Sequence, residues 1–525
     1  MPARTGKCIL AKDIKLDKSY TEVLAYSESS MLSLVNSKAI ASTTNCSFIR
    51  PDENIIDVPV PYGTALQANY MAFQNPDYSN KWFFAFVDEV KYVSDGTTRI
   101  TFIVDEFSTW FDYWHVQPCF VIREHVNDDT VGLHTIPEGL EHGDYISNGF
   151  QQDTRLKNIG YILQASEDYD DNQNQMATYI CGLYNAGRFW YFHDDFSGIM
   201  EFLGCIQDYD NAGKGDAILN VYVVPDEIIE DKPAEGSKGR WGGMENPHTY
   251  IIEVDKQTTI DGYTPRNNKL LTQEYNFLVL DNNNGSSNKL AYEYFSDAKA
   301  TFEVAAVPSC GCSIKCYPKN YKGESNYQQE GITCGKFPTC AWVNDPYTNW
   351  LAQNSVNIAA GHIAQGAKIL GGLAAAATGN VEGGGAMVGE GLGMIFNEFQ
   401  QKYEHDILPH TASGNINCGD INTCYKMNTF YFIKMSIRAE YARSLDDWFD
   451  RFGYKINRVK TPNISGRTYW NYVQIGNNEC IGYSNKPISV PPKSMDIINQ
   501  IFRKGTTVWH SHDNIGNYAL ENTIV

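Results

Sequence analysis

The chain has 525 residues, 42 % of them apolar and 13 % aromatic, with a formal charge of −20 at neutral pH. That length and apolar share provide for several packed domains. The charge speaks against a sequence-specific nucleic-acid binder, which needs a basic stripe for the phosphates, but is compatible with an acidic wall past which DNA slides. The 33 tyrosines fall largely in short alternating runs, a sheet pattern, so a mainly β chain with minor helix is expected.

The first fifteen residues lack the apolar core of a signal peptide. Thirteen cysteines, an odd number without such a signal, point to reduced thiols in a protein made in a cytoplasm. Residues 1–148 read as one β-rich domain. Within it, 82–111 holds two alternating runs joined at Ser94, Asp95, Gly96 and Thr97. This predicts a hairpin in which Gly96 supplies a positive φ. Val90, Tyr92, Ile100, Phe102 and Val104 then share consistent faces. Residues 119–126 form a further strand candidate.

Residues 149–298 read as a middle β-rich part rich in Asp and Asn. Its segments 168–175 and 231–243 are expected as a polar loop and a flexible connector. The run 281–287 is expected as a hairpin turn, because Gly285 and Tyr292 fall at the wrong positions for a calcium loop. Residues 299–354 form a β segment with Cys310, Cys312, Cys316, Cys334 and Cys340. These lack the paired knuckles of a zinc site, so buried or free thiols are the default and no metal or other cofactor is expected.

Residues 355–400 form a hydrophobic, Gly/Ala-rich loop. Two apolar arms flank a small polar turn at 378–384. Ile358, Ile363, Ile369, Leu370 and Leu373 give the first arm its apolar surface. Met387, Val388, Leu392, Met394, Ile395 and Phe396 give the second arm its own. Gly385, Gly389 and Gly393 stand at the spacing that lets helices approach closely in a membrane. Lys368 is the one charge of the first arm, and centring it in a bilayer costs roughly 2.5–3.5 kcal/mol. An arm of about 20 residues just spans a hydrocarbon layer of about 30 Å. Two readings stand side by side: a glycine-rich loop or internal hairpin, and a membrane-active hairpin hidden until needed. His362, His405 and His410 flank the arms, as surface histidines or as acid sensors.

Residues 401–525 form the C-terminal domain. The pattern predicts a strand over 427–442. A helix over 444–454 follows, capped by Ser444, with Asp446 and Asp447 in its first turn, Gly453 at its end, and Leu445, Trp448, Phe449 and Phe452 on one face. A strand near 468–474 and a helix near 495–502 come next. No phosphate-cradling loop, HExxH or nucleophile elbow occurs. The best polar clusters are Arg123–Glu124–His125 and the pair His510 and His512, which would share a strand face. The sequence does not argue for an enzyme. A cell-wall- or glycan-degrading enzyme using Glu124, His510 or His512, and a receptor-binding adhesin using the Asn-rich middle, are the alternatives.

The strings YMAFQNPDYSNKWF (70–83), FVIREHV (120–126), FGYKINRV (452–459) and DNIGNY (513–518) resemble the distal tail-knob proteins of small, short-tailed phages of the Picovirinae type. The resemblance implies tail-tube-like β domains from both ends of the chain, built into a hexameric hollow ring at the distal end of the virion tail. It implies as partners other copies of the chain, other tail proteins, the host cell membrane, and genomic DNA passing without specific binding. It also implies that the apolar loop plugs the tube and, once released, helps open a pore. The cysteine group has no counterpart in that resemblance.

Overall fold

The computed structural model describes residues 5–50, 54–75, 78–173, 178–181, 183–185, 188–234, 239–309, 313–334, 337, 339–343, 413–417, 429–477 and 480–525. It is mainly β, and its contacts divide it into two compact units. The first comprises Met1–Gly143, Gly262–Glu274 and Arg438–Val525; the second comprises Asp144–Asp261 and Tyr275–Ile437. Both are discontinuous, whereas the sequence pattern suggested consecutive domains with boundaries near 148, 298, 354 and 400. Strand pairing at long sequence separation, invisible to local periodicity, sets the difference.

The first unit contains a closed six-stranded barrel, in the order Thr5–Ala11, Ala39–Arg50, Ile55–Val58, Thr97–Val104, Lys81–Ser94 and Tyr70–Asn75. Alternation along Thr97–Val104 turns Thr98, Ile100 and Phe102 into the buried interior. The expected hairpin forms, with Ser94 opposite Thr97. Gly96, however, is not among the residues of positive φ. A register shift between Tyr92 and Ser94 supplies the local twist that a positive-φ turn would otherwise give. Val90 faces Ile100 as expected, while Tyr92 lies 59 % exposed near the hairpin end.

The same unit holds a five-stranded sheet in the order Glu22–Leu24, Thr506–Trp509, Trp470–Ile475, Cys119–Glu124 and Tyr454–Lys460. Two helices accompany it. Pro492–Lys504 matches the expected amphipathic helix, extended at both ends. Ala439–Phe452 begins earlier than the pattern suggested, and the preceding strand stops at Ser436. Ser444 is therefore no cap: it lies inside the helix, where its hydroxyl donates to the Glu440 carbonyl at 3.2 Å. The helix starts at Arg438 without a side-chain cap, and burial of Ala442, Leu445, Asp446 and Phe449 holds it in place. Gly453 ends it as expected, with φ 64°. Its missing Cβ matters, since one would sit 2.2 Å from the Glu124 carbonyl oxygen.

In the second unit, six antiparallel strands run in the order Gly239–Trp241, Arg188–His193, Ile159–Ala165, Ile218–Pro225, Thr339–Val343 and Ser413–Asn417. One face, including Tyr161, Leu163, Trp190 and Val223, packs against helix Phe196–Asn211 through Ile199, Phe202, Cys205 and Tyr209. The alternate residues Ile162, Phe189, Tyr191 and Tyr222 join a second core that includes Leu278, Phe302, Ile314 and Phe432. The turn after Asn276–Asp281 is the expected hairpin, with Leu278 opposite Leu290 and Asp281 opposite Ser287. The expected connector 231–243 instead contributes an edge strand. Trp241, 1 % exposed, faces Phe189, and Arg240 holds the buried Asp168 at 2.5 and 3.2 Å.

Candidate functional site

The apolar arms, from Ile358 to Phe396 and including Lys368, Gly385, Gly389 and Gly393, lie outside the described residues. What is described is their root. Thr339–Val343 and Ser413–Asn417 pair antiparallel, with Thr339 opposite Asn417, Ala341 opposite Asn415 and Val343 opposite Ser413. The inner strand of this stem is fixed to the sheet by pairs from Tyr222 to Thr339, Val221 to Cys340 and Asn220 to Ala341. The intervening 344–412 thus leaves and returns at paired positions. Among the described residues no strand covers the outer edge of the stem, and no helix is long and apolar enough to cross a membrane.

The first unit contains a buried ionic clasp that the sequence pattern does not announce. Glu138 accepts from the ammonium of Lys269, from the guanidinium of Arg123 and from the Lys455 amide at 2.9 Å. The side chains of Glu138 and Lys269 are 0 % and 2 % exposed. Burial pushes the Lys269 ammonium down, against the opposing pull of Glu138. Two charges taken from water in this way require close pairing, which the clasp provides. A second polar group ties 262–274 to helix Ala439–Phe452. Asp446, expected near a helix start, is instead fully buried and accepts from the amides of Arg266 and Asn267 at 2.8 and 3.0 Å. Tyr263 donates to it as well, at 2.7 Å.

The cluster Arg123–Glu124–His125 belongs to this framework. Glu124 is fully buried, accepting from Lys460 and from the Asn463 amide at 2.8 Å. His125 accepts through Nδ1 from the Tyr472 amide at 2.8 Å, and its Nε2 lies 3.1 Å from the Asp450 carbonyl oxygen. Burial, reinforced by Arg467, pushes its imidazole down to about 3, so it is neutral at ordinary pH. A carboxylate so occupied and a histidine so fixed hold neighbouring segments of the unit together.

His510 and His512 do not share a strand face, because the strand ends at Trp509 and His512 opens a short 3-10 turn. His510 Nε2 lies 3.2 Å from the Asn471 side-chain oxygen, while His512 Nε2 accepts from the Lys15 amide at 3.2 Å. Among the described residues no three His, Cys, Asp or Glu side chains gather as a metal site. Cys316 and Cys334 are buried, and the Cys334 thiol donates to the Thr429 carbonyl oxygen at 3.7 Å. Cys310, Cys312 and the side chain of Cys340 lie outside the described residues.

A family model for the C-terminal domain of the Bacillus phage phi29 tail knob protein gp9 matches residues 245–523, just over half of the chain. A model for the caudoviral major tail protein N-terminus matches residues 4–115, which contain the barrel. The tail knob protein gp9 of Bacillus phage phi29 is 25 % identical over 551 residues, covering 90 % of each chain. That of Bacillus phage PZA is 26 % identical over 554 residues, again covering 90 % of each. The solved structure of the bacteriophage C1 tail knob protein, gp12, superposes with a TM-score of 0.62 at 15 % identity. It covers 99 % of this chain and 100 % of that one, a likeness of fold.

Proposed function

The chain belongs to the phage tail knob family of gp9, and from that premise we propose that it is a structural virion protein at the distal end of a short tail. In this reading six copies close into a hollow tube that conducts DNA into the host. The charge of −20 per chain, multiplied around a ring, suits a conduit that must not retain the polyanion passing through it. The five-stranded sheet leaves the edges of Glu22–Leu24 and Tyr454–Lys460 unpaired among the described residues, as strands that can meet a neighbouring copy.

The apolar loop plugs the tube and, on release, inserts into the host membrane. The observation that carries this is the paired stem: a segment whose two ends sit opposite each other can leave its resting place without disturbing the sheet that holds it. An isolated arm is a poor membrane span because of Lys368 and its many small residues. Six arms packed through Gly385, Gly389 and Gly393 would shield that charge from lipid.

The test is deletion of 355–400, followed by native mass, negative-stain imaging and dye release from lipid vesicles. Hollow rings that no longer release dye are the expected outcome. Rings that still release dye would sink the membrane role, and a monomeric wild-type chain would sink the tube.

A further inference from the structure

Asn followed by Gly occurs twice in the chain, at Asn148–Gly149 and at Asn284–Gly285. Such a pair is where an asparagine side chain is most open to attack by the backbone, because no Cβ on the next residue obstructs its amide nitrogen. The structure gives the two pairs opposite surroundings. Asn148 is exposed, yet its carboxamide is held: Nδ2 donates to the Gln257 side-chain oxygen and to Ser436 Oγ, both at 2.7 Å. The amide of Gly149 donates to Ser147 Oγ at 3.4 Å.

Asn284 is less exposed than Asn148 and lies in the turn between Asn276–Asp281 and Ser287–Leu290. Its backbone is fixed while its side chain is not. The Asn282 side-chain oxygen accepts from the amides of Asn284 and Ser286 at 2.9 and 3.1 Å, and Asn282 Nδ2 donates to the Thr333 carbonyl at 2.7 Å. Among the described residues, neither the Asn284 carboxamide nor the Gly285 amide has a hydrogen-bond partner. Gly285 is exposed at φ 82°, with no atom within 4 Å of where a Cβ would stand. Asn282 and Asn283 are each followed by an asparagine, whose Cβ shields the amide that would attack.

We propose that Asn284 is a site of spontaneous deamidation. The Gly285 amide gives up its proton to hydroxide, and its nitrogen bonds to Asn284 Cγ. The Cγ–Nδ2 bond breaks, the departing nitrogen takes a proton from water and leaves as ammonia, and a succinimide remains. Water then adds at either ring carbonyl, leaving aspartate or isoaspartate with no change of oxidation state. Either product adds a negative charge to a chain already at −20. Isoaspartate also inserts a methylene into the backbone between the two amides that Asn282 holds. Asn148 stays intact as long as its carboxamide is held.

Full-length protein kept at mildly alkaline pH, then digested and mapped by peptide mass, tests it. The peptide carrying Asn284 should gain the mass of an amino group exchanged for hydroxyl and separate into aspartate and isoaspartate forms. Asn284 should convert at least about tenfold faster than Asn148, whose two hydrogen bonds must open first. In concentrated urea those bonds are gone, and the two rates should converge. Three results would overturn the proposal: an Asn284 still intact in the folded chain once the unfolded chain has converted, a folded-state rate at Asn148 equal to or above that at Asn284, or an Asn148 that lags as far behind in urea.

Discussion

The two units join distant stretches of chain by different chemistry. In the first, 262–274 is fastened by charged and polar groups: Lys269 and Arg123 on Glu138, and the amides of Arg266 and Asn267 on Asp446. In the second, stretches equally far apart meet through apolar side chains, as where the Phe302 and Phe432 rings lie 4.7 Å apart among buried aliphatic neighbours. The contrast teaches where each unit is vulnerable. A directional, buried ionic contact has no substitute partner when one member is removed, whereas an apolar contact tolerates another apolar residue of similar volume.

The largest expected effect comes from breaking the clasp. Glu138→Ala strands Lys269 in a buried site and should cost about 3–5 kcal/mol in urea unfolding. A loss below about 1 kcal/mol would show that the clasp is incidental. Acid should attack the same unit next. The folded-state imidazole of His125 titrates near 3, below its ordinary 6.5, so the unfolded chain takes up the proton first as pH falls. The stability tied to this residue is therefore complete above about pH 6.5 and drains towards pH 3. The loss is about 1.4 kcal/mol per pH unit, hence about 2 kcal/mol at pH 5. Denaturation midpoints measured between pH 7 and 5 should show that slope, and His125→Gln should flatten it. The smallest effect belongs to the apolar unit. Leu278→Met, a volume-conserving swap in the same core, should cost less than about 1.5 kcal/mol by the same urea measurement, and a loss as large as that of Glu138→Ala would erase the contrast.

Local signals were legible where local physics decides. The alternation around 81–104, the turn at 281–287 and the apolar face of Pro492–Lys504 all appear in the fold as their spacing suggested. Ser444 misled because a plausible cap residue is only a preference, and the uncapped start at Arg438 is stabilised by burial that no cap predicts. The 231–243 stretch looked like a connector because its glycines and charges conceal the buried Trp241, whose partner Phe189 lies some fifty residues earlier. Lys269 gave no sign at all. A lone lysine in a polar stretch becomes structural only when Glu138 and Arg123 are brought to it. Of the candidate site, the composition of the arms was readable, while the pairing of Val343 with Ser413 at their root was not.

That pairing has a bearing on how such a protein changes over generations. A segment whose two ends are neighbours is a cassette: its host fold senses the span between the ends, not the content between them. Lengthening such an insertion twofold adds only about 0.6 kcal/mol of closure entropy. On this pairing alone, the length of chain between 343 and 413 can change at little entropic cost to the sheet that holds its ends.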